Sequence, residues 1–593
     1  MEEKGNCFMK EVVLALDIGG TWIKGATYCC SDILDAYQKH HLPETLVVAK
    51  VGSCLSSSFA IGSFLNSLRK IIDELLRLEV KLCSIAISTA GVVDYAGKRL
   101  RYVATHLAPL KETDWVECLR NEYEVPVVLV NDANATMIGA ASLGYLSGQK
   151  IIGIMPIGTG LGFSVWRNGR IWTPSFSYTL LGCVQVPDGD YDRLASIVGF
   201  AKKNPNVDLK ELFCSEEYKE CLYEYLSGLV RIVQTAYYMY HTTEVLIGGG
   251  LADFVVSIGY NLEDTLNELL NSNPLVDGTI PVVRVLREGN RLPLIGAALW
   301  GYGEFVAQKN RWVKPYTAIS TENAYDTSLH LEQMGTEKLV SLLWKAEQEA
   351  GRNLECSLGD ISQAADKIVE RLKVGGRLIY VGAGTSGRLA AIDTVEIACT
   401  FGFPRERILT FIAGGVADAA IDIEMNFEED ASSVSEMLAA FLNEKDIVVG
   451  ISVSGTAYYV QSALAFAKHI GAYSILIQEE TKELPFCNKV ISLRTGYEVV
   501  AGSTRMKAGT ATKKVLNFLS TTVMVSLGKV YGCYMTELEC INQKLEQRAL
   551  HILMKLFDLS EDDALALLKQ SSYSLNKAIA LKNGLIKTVH INI

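Results

Sequence analysis

Short apolar runs rich in β-branched residues recur along the chain. Each ends in glycine or a small polar residue and is followed by a stretch with helical spacing. Val12–Leu16, Val127–Val130 just after Pro126, Val245–Ile247, Arg377–Val381, Ile408–Phe411 and Ile447–Ile451 are such runs. Four to eight residues of this kind, bounded by turn formers, read as buried strands. Ala390–Thr400, after the fourth run, reads as a helix. The alternation predicts an α/β protein with parallel, doubly wound sheets in both halves. Past Glu537 the pattern changes to helices only: a long amphipathic one to about Phe557, then two short ones around Asp562–Gln570 and Leu575–Leu581.

A chain of 593 residues is too long for one core, and ordinary domain sizes predict about three to four units. The polar, proline-marked stretch Gln308–Pro315 separates two glycine-rich systems. The expected division is a two-lobed domain over 1–308, a linker over 309–320, a second α/β domain over 321–536 and a helical region over 537–593. Composition adds exclusions. A net charge of -11 without a dense Lys/Arg run argues against nucleic-acid or anionic-membrane surfaces. The 14 cysteines are scattered without a C-x-x-C, which points to a reducing compartment. Nothing approaches the roughly 18 apolar residues of a membrane span, and the polar N-terminus does not read as a signal peptide. The expectation is a soluble, cytoplasmic protein.

The most informative stretch is Gly382-Ala383-Gly384-Thr385-Ser386-Gly387-Arg388-Leu389, between a strand and a helix. Glycines admit a ligand close to the backbone, hydroxyls donate, and a helix N-terminus offers unpaired N–H groups, so this turn is an anion site suited to a phosphate on a small molecule. Glu396, further along the helix, places an ionisable group nearby. A second turn, Gly450–Thr456, follows its own strand and presents Ser454, Gly455 and Thr456. Two such turns after parallel strands suit one phosphate gripped from two sides at a topological switch point. Gly502–Thr510 gathers Ser503, Thr504, Arg505 and Lys507, whose basic side chains can ligate a carboxylate or phosphate, or sit solvated at a helix start.

In the first half, Asp17, Gly19, Gly20 and Thr21 form a turn after a strand. Such a turn can cradle terminal phosphates while the acid organises Mg²⁺. Asn131 and Asp132 follow another strand, and Asp132 can take the proton of an attacking sugar hydroxyl or cap a helix. Gly158, Thr159 and Gly160 form a second phosphate-type turn, and Gly249 in Gly248–Gly250 can pass under an adenosine.

Together these pieces resemble the ROK family of sugar kinases over about residues 12–305. The resemblance implies an actin/hexokinase-like ATPase fold whose two lobes close on ATP-Mg and a hexose, with Asp132 as base, Asn131 as sugar ligand, and Asp17, Gly19–Thr21 and Gly158–Gly160 around ATP. The chain departs from the family's Glu-x-Gly-His contact and cysteine-rich zinc motif. Ser177–Val198 holds Cys183 alone and no histidine, and one thiol cannot build a four-ligand site, so no structural zinc is expected. From Thr321 to near its end the chain resembles the N-acetylmuramic acid 6-phosphate etherases, with a sugar isomerase (SIS) fold. Gly382–Leu389 with Asp393 and Glu396, Gly502–Thr510 and Leu516–Thr521 carry this likeness. It implies cofactor-free cleavage of the lactyl ether, with Glu396 serving the leaving group. A second carboxylate is expected in Glu424–Asp430; Glu429 is the choice, with Glu428 and Glu424 as rivals. Where the family has Arg-Thr-Pro after Ser-Gly, this chain has Thr456, Ala457 and Tyr458.

The two halves fit one route, because a kinase acting at O6 supplies the phosphorylated amino sugar that the etherase cleaves. Two alternatives stay open: an aldose–ketose isomerase of the same fold, or a non-catalytic sugar-phosphate sensor that regulates a kinase. A homodimer is expected from the etherase resemblance.

Overall fold

The computed structural model describes residues 9–53, 55, 61–93, 99–102, 107, 110–111, 113–146, 150–167, 170–172, 181–186, 189–313, 322–414, 429, 434, 437–438, 442–482, 484–537 and 543–584. The chain forms two compact units. One comprises Met1–Trp312, Ala413–Asn443 and Tyr458–Ile470; the other comprises Val313–Ile412, Glu444–Ala457 and Gly471–Ile593.

The first unit contains two five-stranded sheets. The first sheet is built from β1 (Lys10–Ile18), β2 (Trp22–Cys29), β3 (Thr45–Gly52), β4 (Val80–Thr89) and β5 (Val127–Asn131), ordered β3-β2-β1-β4-β5. Strands β1, β4 and β5 are parallel, whereas β2 runs antiparallel to both β1 and β3. The expectation of all-parallel sheets is therefore corrected here. Only Gly19–Thr21 separates β1 from β2, and so short a connection can reverse the chain but cannot cross over. The second sheet, β6 (Ile152–Pro156), β7 (Ser164–Arg167), β8 (Arg170–Trp172), β9 (Glu244–Gly248) and β10 (Val282–Val285), is ordered β8-β7-β6-β9-β10 and is mixed in the same way. Helix α1 (Asp132–Ser142) follows β5, α2 (Gly249–Ser257) follows β9, and α3 (Leu292–Lys309) packs on α1 and β4. The α1–α3 crossing is close because it is made of glycines. A Cβ on Gly296 would stand 1.9 Å from the Ala135 carbonyl oxygen, and one on Gly139 2.3 Å from that of Leu292.

The second unit carries the parallel sheet the sequence led us to expect. Its strands β11 (Leu378–Gly382), β12 (Ile408–Ile412), β13 (Ile447–Ile451), β14 (Tyr473–Gln478) and β15 (Lys489–Ser492) are ordered β12-β11-β13-β14-β15, all parallel. Chain order thus reverses between β11 and β13, the point where ligands of open α/β sheets bind, outside the strands' carboxyl ends. Helices α4 (Leu358–Lys373), α5 (Gly384–Phe401) and α6 (Lys507–Ser526) supply apolar residues such as Ile368, Ile397, Val515 and Leu519 to the core against Tyr380, Val449 and Ile475. Past the sheet, α7 (Gln543–Phe557), α8 (Glu561–Gln570) and α9 (Leu575–Lys582) enclose a small core of Ile552, Leu553, Leu568 and Ile579, close to the predicted helices. No helix among the described residues is long and apolar enough to cross a membrane.

Candidate functional site

In the second unit the two glycine–hydroxyl turns leave adjacent strands at the same end of the sheet. Gly382, the last residue of β11, is in register with Ile451, the last of β13. Helix α5 starts at Gly384, earlier than the sequence pattern implied, because Thr385 and Ser386 occupy the first turn, where N–H groups have no helical partner. Its N-cap, Ala383, makes no side-chain capping bond and the first turn holds no acid. The positive end of an 18-residue helix therefore opens beside two hydroxyls. Backbone packing explains the glycines: a Cβ on Gly382 would meet the Gly387 nitrogen at 2.7 Å, and Gly384 has φ +52°. The Arg388 guanidinium donates to Thr385 Oγ1 at 2.9 Å.

The second turn is self-braced. The Gly455 N–H, at φ +74°, donates to the Ser452 carbonyl at 2.9 Å. Ser454 Oγ and Thr456 Oγ1 lie 2.7 Å apart, and the Thr456 N–H donates to Ser454 Oγ at 3.2 Å. The Ser452 and Glu479 N–H groups bond the carbonyls of Ile477 and Val453, tying this turn to the end of β14. Tyr458 and Tyr459 are buried.

Glu396 is exposed on α5, one turn beyond the buried Asp393. Asp393 Oδ2 accepts from Tyr380 at 3.1 Å, and Oδ1 accepts from Ser520 at 3.2 Å with the Lys513 ammonium at 3.5 Å. Burial pushes its carboxyl above the ordinary range, opposed by Lys513 and the two hydroxyls. In the Gly502–Thr510 segment, Arg505 is exposed and Ser503 and Thr504 are partly buried. Lys507 is buried and its ammonium donates to the Thr495 carbonyl at 2.8 Å, under the ring of Tyr325. Lys507 thus ties the start of α6 to the backbone at Thr495. Glu498, which the sequence did not single out, accepts the Lys507 and Ala508 N–H groups at 3.1 and 2.9 Å and so caps α6. Burial raises its carboxyl as well.

Glu429 belongs to the first unit, where it is exposed and pairs with Arg311 at 2.8 Å; that guanidinium also stacks on Tyr458 at 4.7 Å. Glu424, Glu428 and Asp430 lie outside the described residues, as does the Cys183 side chain.

The first unit gathers its candidate residues at the carboxyl edge of β1, β4 and β5. Asp17 pairs in register with Ser88, which donates to Asp17 Oδ1 at 2.9 Å, and Thr89 pairs with Asn131. Asn131, and not Asp132, caps α1: its Oδ1 accepts from the N–H groups of Ala133 and Asn134, both at 3.1 Å, and its Nδ2 donates to the Gly91 carbonyl at 2.9 Å. Asp132 Oδ1 accepts from the Ala133 N–H at 2.8 Å. Burial, and then the nearby Asp17, push the Asp132 carboxyl up to about 6, which suits a base working near neutrality. Burial also raises Asp17, against the pull of Lys24 and Ser88. Neither Ser88 nor Lys24 stood out in the sequence, although β1–β2 pairing sets Lys24 directly opposite Asp17.

The remaining turns lie at the matching edge of the second sheet, where Pro156 and Gly248 end adjacent parallel strands in register. The Gly158 N–H donates to the Gly160 carbonyl, and the Leu161 N–H to Asp192 Oδ1 at 2.6 Å. Gly249 has φ +77°, and a Cβ there would stand 2.7 Å from the Ile157 carbonyl oxygen. The Gly19–Thr21 turn is fixed by the Gly19 N–H on the Trp22 carbonyl and by Ser53 Oγ on the Gly20 carbonyl at 2.7 Å. Among the described residues no three His, Cys, Asp or Glu side chains gather as a metal cluster.

Two family models match separate stretches of the chain. Residues 13–303 match the ROK family model, and residues 360–468 match the model described as the glucokinase regulatory protein N-terminal SIS domain. N-acetylmuramic acid 6-phosphate etherase 2 of Bacillus licheniformis is 39% identical over 271 residues, 45% of this chain and 91% of the relative. The N-acetylmuramic acid 6-phosphate etherase of Picosynechococcus sp. is 42% identical over 266 residues, 44% of this chain and 88% of the relative. A solved ROK family glucokinase from Streptomyces griseus, in complex with glucose and AMPPNP, is 16% identical and covers 49% of this chain and 99% of its own, with a TM-score of 0.40.

Proposed function

The chain belongs to the N-acetylmuramic acid 6-phosphate etherase family, with a ROK family domain fused ahead of it, and we propose that it phosphorylates N-acetylmuramic acid or a related amino sugar at O6 and then cleaves its lactyl ether. The observation that carries this reading is the pairing of the Thr385–Gly387 and Ser454–Thr456 turns at the β11/β13 switch point, with Glu396 on the helix that begins at the first turn.

In ether cleavage the two turns and the α5 N-terminus hold the 6-phosphate. The sugar opens to an aldehyde, which acidifies the proton on C2. Glu429 removes that proton, Glu396 protonates the departing oxygen on C3, and D-lactate leaves. Water then adds back at C3, giving N-acetylglucosamine 6-phosphate. Glu428 and Glu424 remain rivals to Glu429. This half needs no cofactor. Ser503, Thr504 and Arg505 sit in the turn ahead of α6 and are assigned to the substrate's anionic groups.

In phosphorylation Asp132 accepts the sugar O6 proton as the oxygen attacks the γ-phosphate, the bond from that phosphorus to the β-phosphate oxygen breaks, and ADP leaves. The backbone turns at Gly19–Thr21 and Gly158–Gly160 hold the ATP phosphates, and Gly249 lies under the nucleoside. The residues present suit Mg²⁺: a desolvated carboxylate, Asp17, stands at a strand end beside a hydroxyl and glycine backbone, all hard oxygen and amide groups. Bound there, the metal neutralises phosphate charge. Asn131 is assigned to the sugar, although its side chain already caps α1. The protein is proposed to be cytoplasmic and a homodimer.

Incubation with N-acetylmuramic acid, ATP and Mg²⁺ tests both steps. Phosphorylated sugar without D-lactate removes the etherase claim. Lactate only from sugar phosphorylated beforehand removes the kinase claim. Binding of the sugar phosphate without turnover favours the sensor.

A further inference from the structure

Helix α5 buries Gly387, Ala390, Asp393 and Ile397. These positions form one stripe at helical spacing, and three of the four are what a core demands. Asp393 is the exception. A buried charge is costly, and exchanging a buried ion pair for apolar residues is often neutral or stabilising. A polar residue that breaks the local pattern is therefore a pointer to function.

The partners of Asp393 come from the strand that leads into one candidate turn and the helix that leaves another. Tyr380, fully buried in β11, donates to Oδ2 two residues before that strand ends at Gly382. Ser520 and the Lys513 ammonium reach Oδ1 from α6, the helix that begins at Lys507 in the Gly502–Thr510 turn. Lys513 also donates to Asn517 Oδ1 at 2.6 Å. Lys513, Asn517 and Ser520 thus form a polar stripe along α6, and it accounts for the Leu516–Thr521 segment to which the proposed chemistry gives no role. Thr394 and Thr410 hydroxyls, 2.5 Å apart, fix the neighbouring face of α5 to β12.

We propose that the buried Asp393 and the half-buried Lys513 are a positioning pair for ether cleavage: they lock the rotation of α5 about its axis and so aim Glu396, one turn beyond Asp393, at the bond being broken. The inference rests on the etherase reading above. Neither residue touches the reacting atoms. The phosphate is held by backbone and hydroxyls at the start of α5, where Gly387 against Ile412 keeps the helix seated. Loss of the pair therefore lets Glu396 swing without releasing the phosphate. Misplacement of a catalytic group by about 1 Å lowers turnover by up to about 10²-fold.

The full chain is assayed for D-lactate release from N-acetylmuramic acid 6-phosphate as Asp393→Asn, Lys513→Met, the double variant of these two, Lys513→Arg and Glu396→Gln, with a thermal melt of each. Expected is a fall in kcat of about 10- to 100-fold for Asp393→Asn and Lys513→Met with KM within about twofold, recovery of most turnover in Lys513→Arg, and a double variant little worse than either single one. Unchanged kcat in Lys513→Met and Asp393→Asn, while Glu396→Gln abolishes release, overturns this inference alone. A loss in which KM rises as much as kcat falls, in step with a lowered melting temperature, marks a purely structural pair and also overturns it. No lactate from the unaltered protein removes the etherase reading and this pair with it.

Discussion

Gly382 and Ile451 stand side by side at the ends of two parallel strands. The residues that follow them, one turn rich in glycine and hydroxyls from each strand, emerge at the same edge of the sheet, where its winding direction reverses.

Gly387 has no room for a side chain. An added Cβ would meet Ile412 Cγ2 at 2.7 Å and the Gly382 carbonyl oxygen at 2.9 Å. Gly387→Ala is expected to destabilise the protein by about 1–3 kcal/mol, as overpacking does, and to weaken sugar-phosphate binding because it pushes α5 away from the strand end. Urea unfolding and calorimetric titration with N-acetylglucosamine 6-phosphate check the two effects.

In the proposed reaction, replacing Glu396 by Gln takes away the proton donor and spares the groups assigned to the phosphate. Lactate release is expected to fall by about 10²- to 10⁴-fold, the usual contribution of a general acid or base. Phosphate-sugar affinity should stay within about threefold. Loss of both together, measured by titration and lactate assay, would place Glu396 in binding.

In the first unit the pH dependence has a definite sign. The Asp132 carboxyl is raised to about 6 by burial and by Asp17, and a base acts only when ionised. Phosphorylation should therefore rise with pH through about 6 and level off above it. Asp132→Asn should abolish that limb and lower turnover by about 10²- to 10⁴-fold, while lactate release from pre-phosphorylated sugar continues. Rates measured from pH 4.5 to 8 (about 1.5 units below the midpoint to 2 above) decide it.

Asn131 caps α1 and ties down the Gly91 carbonyl. Asn131→Ala should lower stability by about 1 kcal/mol through the cap, read from the unfolding midpoint. Asn131→Asp keeps the cap acceptor and should recover most of that loss. If it recovers stability and still fails in phosphorylation, Asn131 also serves the sugar.

Much of this site can be seen in the sequence, because its turns are marked by residues with few other reasons to be where they are. Gly384, Gly387 and Gly455 meet positive φ or close backbone approach, and both demands exclude side chains. The strands beneath them stand out because parallel strands buried on both faces are continuously apolar. Less visible were the antiparallel partners of β1, since a meander and a crossover begin with the same apolar run. The roles of Lys507, Glu498 and Ser88 were hidden for another reason: each acts through a tertiary bond to a residue 12, 9 or 71 positions away. The bond from the Lys507 ammonium to the Thr495 carbonyl cannot be read from a cation spaced between two glycines.

In the proposed site the Thr385–Gly387 and Ser454–Thr456 turns hold one phosphate between them. Titration of N-acetylglucosamine 6-phosphate into the unaltered protein, Ser386→Ala, Ser454→Ala and the double variant measures this most directly. Each single change should weaken binding by about 1.5–3 kcal/mol, the worth of a hydrogen bond to a charged group. The double variant should depart from additivity by at least about 0.5 kcal/mol, as partners on a shared ligand do. Two independent, strictly additive losses, or no loss from one of the serines, would contradict the claim.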